Sequence, residues 1–349
     1  QATDYFNTVL YTGNGSTNAI TGVGFQPDWV WSKRRNASAS HNFWDSSRGT
    51  TKLLFSDFTG EELTKSGLTS FDSDGFTMGS EVTYSNNISG STYVAWNWKG
   101  NGGTTSSDSN GSITSTVQAN TTAGFSMVTY TGNSTAGATV GHGLDSAPNM
   151  IMVKCRSNSS SSDHWYVYHS GIASNADDWE IYLNLTLGAY ENVNQPWNNT
   201  APTSSVFSLG SLADVNETSE TYIAYCFHSV EGYSKFDSYT GNNSTNGTFV
   251  YTGFRPAMII LKRTSDGGSA GGWQMLDNKR NTFNAVDRYL TASGSHAEVD
   301  GSTLSPAINV DFLSNGFKLR TTEAVYNSSG GTFLYLAFAE QPFKFSNAR

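Results

Sequence analysis

Cysteine is scarce: Cys155 and Cys226 are the two in 349 residues, too few to build a disulfide framework. Both lie in apolar runs, "MIMVKC" and "YIAYCF", which leaves two readings open, buried thiols or one disulfide. Charge is scarce as well. Asp, Glu, Lys and Arg make up 14% of the chain and the formal net charge is -9, a balance that argues against nucleic acid as a partner. No apolar run approaches the roughly 20 residues that a bilayer-spanning helix needs, so no membrane span is expected, and no segment reads as a signal peptide. Helix signals are nearly missing: "TGEELTKSG" around Glu61, with Thr59 as N-cap, and "NAVDRYL" around Asp287 each predict a turn or two.

Catalytic signatures are missing too. The six histidines form no HExxH or clustered zinc pattern, and there is no GxSxG elbow or P-loop. Asp177, Asp178 and Glu180 offer carboxylates, but a glycosidase pair is defined by separation in space, which the sequence does not supply. "DSDG" at Asp72 to Gly75 resembles the start of a Ca²⁺ loop, yet the third-repeat counterpart "LSNG" shares only a hairpin turn. The chain is therefore expected to be neither an enzyme nor a holder of metal or cofactor.

What the chain has instead is repetition. "YTGN" occurs at Tyr11, Tyr130 and Tyr239, and each copy is followed by Gly and Pro ahead of an apolar run closed by lysine: "GFQPDWVWSK", "GLDSAPNMIMVK" and "GFRPAMIILK". Such a block is a turn feeding a buried strand. Aromatic segments, Gly hairpins and the final blocks "STYVAWNWK", "ETYIAYCFHS" and "GTFLYLAFAE" follow in the same order. The final blocks alternate with period two, as strands with one buried face do. The period is too long for a solenoid, and each copy is expected to fold as a domain of its own. The expected fold is all-β: three tandem homologous antiparallel β-sandwich domains, jelly-roll or lectin-like, at 4–100, 124–234 and 235–349. Residues 101–123, rich in Gly, Ser and Thr, read as a linker that joins the first domain flexibly, with "SITSTV" able to add an edge strand.

Repetition also separates scaffold from candidate site. Asp45 and Arg48 recur as Asp277 and Arg280, with Tyr168 or His169 in the middle copy, which reads as an ion pair pinning a loop. Lys33, Lys154 and Lys262 recur in all three copies and are expected where a strand emerges into solvent. Most tryptophans fall where sister copies hold Ile or Phe, as Trp31 against Ile260, and read as core. Trp179 and Trp197 lie in an insertion of the middle copy and are the candidates for a glycan platform. Asn-x-Ser/Thr triplets at Asn36, Asn87, Asn120, Asn184, Asn216, Asn243 and Asn327 are possible N-glycosylation sites.

The blocks "TSFDSDGFTMG", "VGHGL", "YIAYCFHSVEGYSKF", "FVYTGFRP" and "YLAFAEQPFK", with those above, resemble a repeat family of marine, cyanophage-like bacteriophages whose members are structural or tail-fibre-like proteins. The resemblance spans nearly the whole chain and implies a role at the virion surface or outside the cell, with no catalytic residues to carry over. Two functions are expected from it and from the residues. One is a structural subunit of a virion appendage or extracellular filament that assembles with itself and with other surface-assembly proteins. The other is a carbohydrate-binding adhesin that meets a cell-surface glycan through the middle copy.

Overall fold

A computed structural model describes residues 2–84, 86–157, 163–192, 196–265 and 271–341. The strands form antiparallel sheets, all-β as expected, in three systems that follow one another along the chain. The large sheet of the first has the order Phe6–Thr12, Thr92–Trp98, Trp29–Arg34, Asn42–Asp45, Lys52–Phe55, Leu63–Thr64. The third repeats this order with Ser234–Thr240, Thr332–Ala339, Pro256–Arg263, Gln274–Asp277, Arg288–Thr291 and Val299–Asp300. The second repeats it from Phe125–Thr131 through Thr221–Phe227, Met150–Cys155, Tyr166–His169 and Trp179–Tyr182 to Tyr190–Glu191. A smaller sheet accompanies each large one: Asn18–Thr21, Gly75–Met78 and Leu68–Asp72 in the first, Ala138–Gly141 and Val206–Leu209 in the second, Phe249–Tyr251, Gly316–Leu319 and Val310–Leu313 in the third.

Successive side chains of a strand point to opposite faces, and here both faces of the central strands are covered. In Trp29–Arg34, Val30 joins Trp44, Phe76 and Met78 in a core towards the small sheet, while Trp29 and Trp31 enter a second core with residues of all three systems. Trp29 stacks on Trp98 at 4.3 Å and on Tyr225 of the second system at 4.5 Å, and Phe6 stacks on Phe338 of the third at 4.9 Å. The expectation of one buried face for Thr92–Trp98 and its sisters is thus corrected. The second face is buried against the neighbouring systems, and a void of only about 10 Å³ remains between Trp31, Met152, Ile260 and Trp273.

The recurring "YTGN" has a recurring reason. Tyr11, Tyr130 and Tyr239 stack on Tyr93, Tyr222 and Phe333 at 4.8, 5.0 and 4.9 Å, and each hydroxyl donates to a carbonyl, of Asn86, Val215 and Tyr326. A Cβ on Gly13, Gly132 or Gly241 would collide with the carbonyl of Ile88, Glu217 or Ser328. The Asn that follows is held by a second, buried Asn. Asn87, Asn216 and Asn327, all 0% exposed, accept from the backbone N–H of Asn14, Asn133 and Asn242 at 3.0, 2.9 and 2.9 Å. Their amides donate to the carbonyls of Ser16 and Gly79, of Thr135 and Gly210, and of Ser244 and Thr321. These three residues pin the turn from buried positions, not from the exposed surface that an acceptor asparagine occupies. Asn184 is buried with its amide on His164, and the Asn120 amide donates to Lys99 and Gly100. Asn36 and Asn243 are exposed.

Two further expectations change. The segments around Glu61 and Asp287 form the strands Leu63–Thr64 and Arg288–Thr291 rather than helix, because pairing with Lys52–Phe55 and Gln274–Asp277 outweighs local propensity. Short α-helical turns lie instead at Ala213–Asn216 and Ala324–Asn327. Residues 101–123 are not a free linker: Ser106–Asp108 and Ser115–Asn120 extend the second sheet. Buried Gln118 accepts from Asn101 and Gly103 and donates to Ser46 and Ser47 of the first system. Cys155 and Cys226 are buried and are not joined in a disulfide, and no helix among the described residues is long and apolar enough to cross a membrane.

Candidate functional site

The residues that recur in all three copies meet where one sheet system abuts the next. Lys33, Lys154 and Lys262 are 0% exposed, so the expected position at the solvent boundary is wrong; a neighbouring system covers each. Every ammonium donates within its own system and across to another. Lys33 reaches Arg34 O at 2.8 Å and Ser295 O of the third system at 3.3 Å. Lys154 reaches Cys155 O and Thr59 O of the first, at 2.8 and 3.0 Å. Lys262 reaches Gly271 O and Leu185 O of the second, at 2.6 and 3.4 Å. The contacts run first to third, second to first and third to second, a closed ring. Burial pushes the Lys33 ammonium down to about 8, only partly offset by Asp57, and the Lys262 ammonium down to about 7.

Main chain and indoles repeat the same ring. The Glu298 N–H donates to Arg35 O, Glu62 to Arg156 O and Ala189 to Thr264 O, at 2.8, 2.9 and 3.0 Å. Trp165 donates to Phe55 O and Trp273 to Tyr182 O, both at 2.8 Å; the first copy has His41 in that place, beside the Thr291 carbonyl. Among the described residues, the first–second and third–first joints also carry ion pairs. Arg48 binds Asp45 at 2.5 Å and Glu62 at 2.9 Å, and Glu62 takes Arg156 of the second system at 2.9 Å. Arg280 binds Asp277 at 2.6 Å and Glu298 at 3.4 Å, and Glu298 takes Arg35 of the first at 2.9 Å. Burial alone raises the Glu298 carboxyl, but the hydrogen bonds and charges of Arg35 and Arg280 outweigh it and hold it below its usual range. The middle copy has uncharged Ala189 at this point.

The pair Asp45–Arg48 pins its loop as expected and does more. Asp45 Oδ2 accepts from the Tyr225 hydroxyl of the second system at 2.6 Å, and Asp277 Oδ2 from the Trp96 indole of the first at 3.1 Å. His169 is the counterpart in the middle copy. Its Nδ1 accepts from Gly171 N, which leaves Nε2–H to face Tyr335 O of the third system at 3.4 Å. Of the tryptophans expected as a glycan platform, Trp197 is 1% exposed and packs edge-on to Tyr168, so it presents no face to a sugar. Trp179 is half-buried, with its indole on Asn175. Asp72 and Asp74 serve their turn through Thr77, Gly22 and Gly24. Sequence reasoning missed Glu62, Glu298 and the Asn pins. The pins carried a usable signal, since each stands five residues ahead of Thr92, Thr221 or Thr332.

A family model described as a domain of unknown function (DUF7483) matches residues 1–342. The chain belongs to this family. The match takes in all three sheet systems and the joints between them. No curated protein and no solved structure matches the chain.

Proposed function

We propose that the protein is a structural subunit of a surface assembly, a virion appendage such as a tail fibre or an extracellular filament, and that it acts by holding place among copies of itself and other assembly proteins. In this reading each sheet system is one β-sandwich domain of a common lineage, the second enlarged by 106–120. The observation that carries it is the closed ring. Groups present in every copy are where a property shared by the copies resides, and here they join each system to the next. A body with three similar outer faces about one axis meets neighbours through repeated contacts, and repetition multiplies weak contacts through effective concentration.

Strands Phe6–Thr12 and Ser234–Thr240 end their sheets, whereas in the second system Ser115–Asn120 covers the corresponding edge. An open edge pairs with a neighbour's strand unless charge or a bulge blocks it. The test is sedimentation at rising concentration, with Leu10→Lys and Ser238→Lys to charge these edges. Regular oligomers that the two variants weaken are expected; a native chain that stays monomeric at high concentration overturns the reading. The adhesin alternative draws no support from Trp197, whose indole is buried.

A further inference from the structure

We infer that the first sheet system carries a binding site for a single pyranose ring of a glycan, in the cleft between Phe55, Phe58, Tyr84, Ser40 and Thr83. The cleft encloses about 280 Å³, near the lower end of ligand pockets at roughly 300–1,000 Å³. Phe58 is 56% exposed. It is nevertheless held in place, because it meets Phe55 edge-on at 6.3 Å and packs so closely on Gly60 that a Cβ there would strike its ring. Phe55 in turn meets Tyr84 at 5.6 Å, and the Lys65 ammonium lies 5.1 Å from the Tyr84 ring centre. Aromatic faces carry partial negative charge, to which the axial C–H bonds of a sugar ring offer a matching partial positive face. The hydroxyls of Ser40 and Thr83 line the cleft, and a hydroxyl both donates to and accepts from sugar hydroxyls. Aromatic walls with a few polar groups are the usual composition of a specific small-ligand site.

The sister copies provide the control. The residue before the carbonyl that receives the buried lysine is Phe58 in the first copy, Asn184 in the second and Gly294 in the third. The residue three before the Asn pin is Tyr84 in the first and Ala213 and Ala324 in the others. The scaffold therefore requires an aromatic at neither position, and both aromatics of the first copy converge on one cleft. Neither residue takes part in the ring.

Saturation-transfer NMR of the full chain with a panel of neutral, N-acetylated and acidic pyranosides tests this. Transfer to the ring C–H protons of at least one sugar is expected, with affinity falling at least tenfold in Phe58→Ala and in Tyr84→Ala while the melting temperature of Phe58→Ala stays at the native value. Tyr251→Ala, which removes another exposed aromatic at 58% exposure, leaves the transfer unchanged. The inference is overturned if no sugar on the panel receives saturation, if transfer survives Phe58→Ala, or if cyclohexanol competes as well as the sugar, which marks an unspecific apolar patch.

Discussion

A single asparagine, written three times, shows how this chain uses polar residues. Asn87, Asn216 and Asn327 each bridge a turn to the loop ahead of the last strand with all amide atoms engaged. Asn216→Ala strands two carbonyls and one N–H in the interior, and buried unsatisfied groups cost about 1–3 kcal/mol each, offset in part by relaxation. A loss of roughly 2–4 kcal/mol on chemical denaturation is expected for this variant and for Asn327→Ala; a loss below about 0.5 kcal/mol would show that the pin is dispensable. The buried lysines give a pH signature. In the unfolded chain they hold their protons up to the ordinary 10.5, whereas folded Lys33 and Lys262 release theirs near 8 and 7. Between those values the unfolded chain binds more protons, so stability rises with pH from about 7 towards 10, by up to about 1.4 kcal/mol per pH unit and lysine. Above about pH 10 the buried tyrosines, Tyr239 among them, reverse the slope, because the unfolded chain ionises first. Urea midpoints at pH 7, 8 and 9 check the rise, and Lys262→Met is expected to flatten it.

At the scale of elements, the ion-bearing joints decide whether the three sheet systems unfold together. Glu298 stands between Arg35 and fully buried Arg280, and removing one partner of a buried pair costs roughly 3–5 kcal/mol. Glu298→Ala is expected to lower the stability of the whole chain in a single transition; a separate early transition for one system would show that the joints do not couple them. Much of this level was legible in the sequence. The apolar run closed by lysine, the aromatic segment and the final strand fall where repetition placed them, because strand identity is set by local alternation and turn residues. What was not legible depends on contacts far along the chain. Nothing near Lys262 says that Leu185 will cover it, so a charged residue at a strand end reads as exposed. Asn327-Ser-Ser has the same spelling as an acceptor site, and only the packing of Asn242 against it reveals the pin. The strands at 106–120 look like linker because Ser, Thr and Gly dominate, while a single buried Gln118 ties them down.

For the whole molecule, a closed ring of three similar systems around an aromatic core replaces the flexibly joined first domain that the sequence suggests. Each joint buries a lysine, a main-chain hydrogen bond and an aromatic or imidazole ring, so all three systems hold fixed positions. In the proposed reading that fixed geometry suits a place-holding subunit, and Phe6–Thr12 and Ser234–Thr240 are the strands that end their sheets. Electron microscopy of the purified chain at increasing concentration tests this most directly. The account predicts compact three-lobed particles with lobes about one axis, joined into regular oligomers or filaments. Particles in which one lobe swings free, or compact particles that stay single at every concentration, would contradict it.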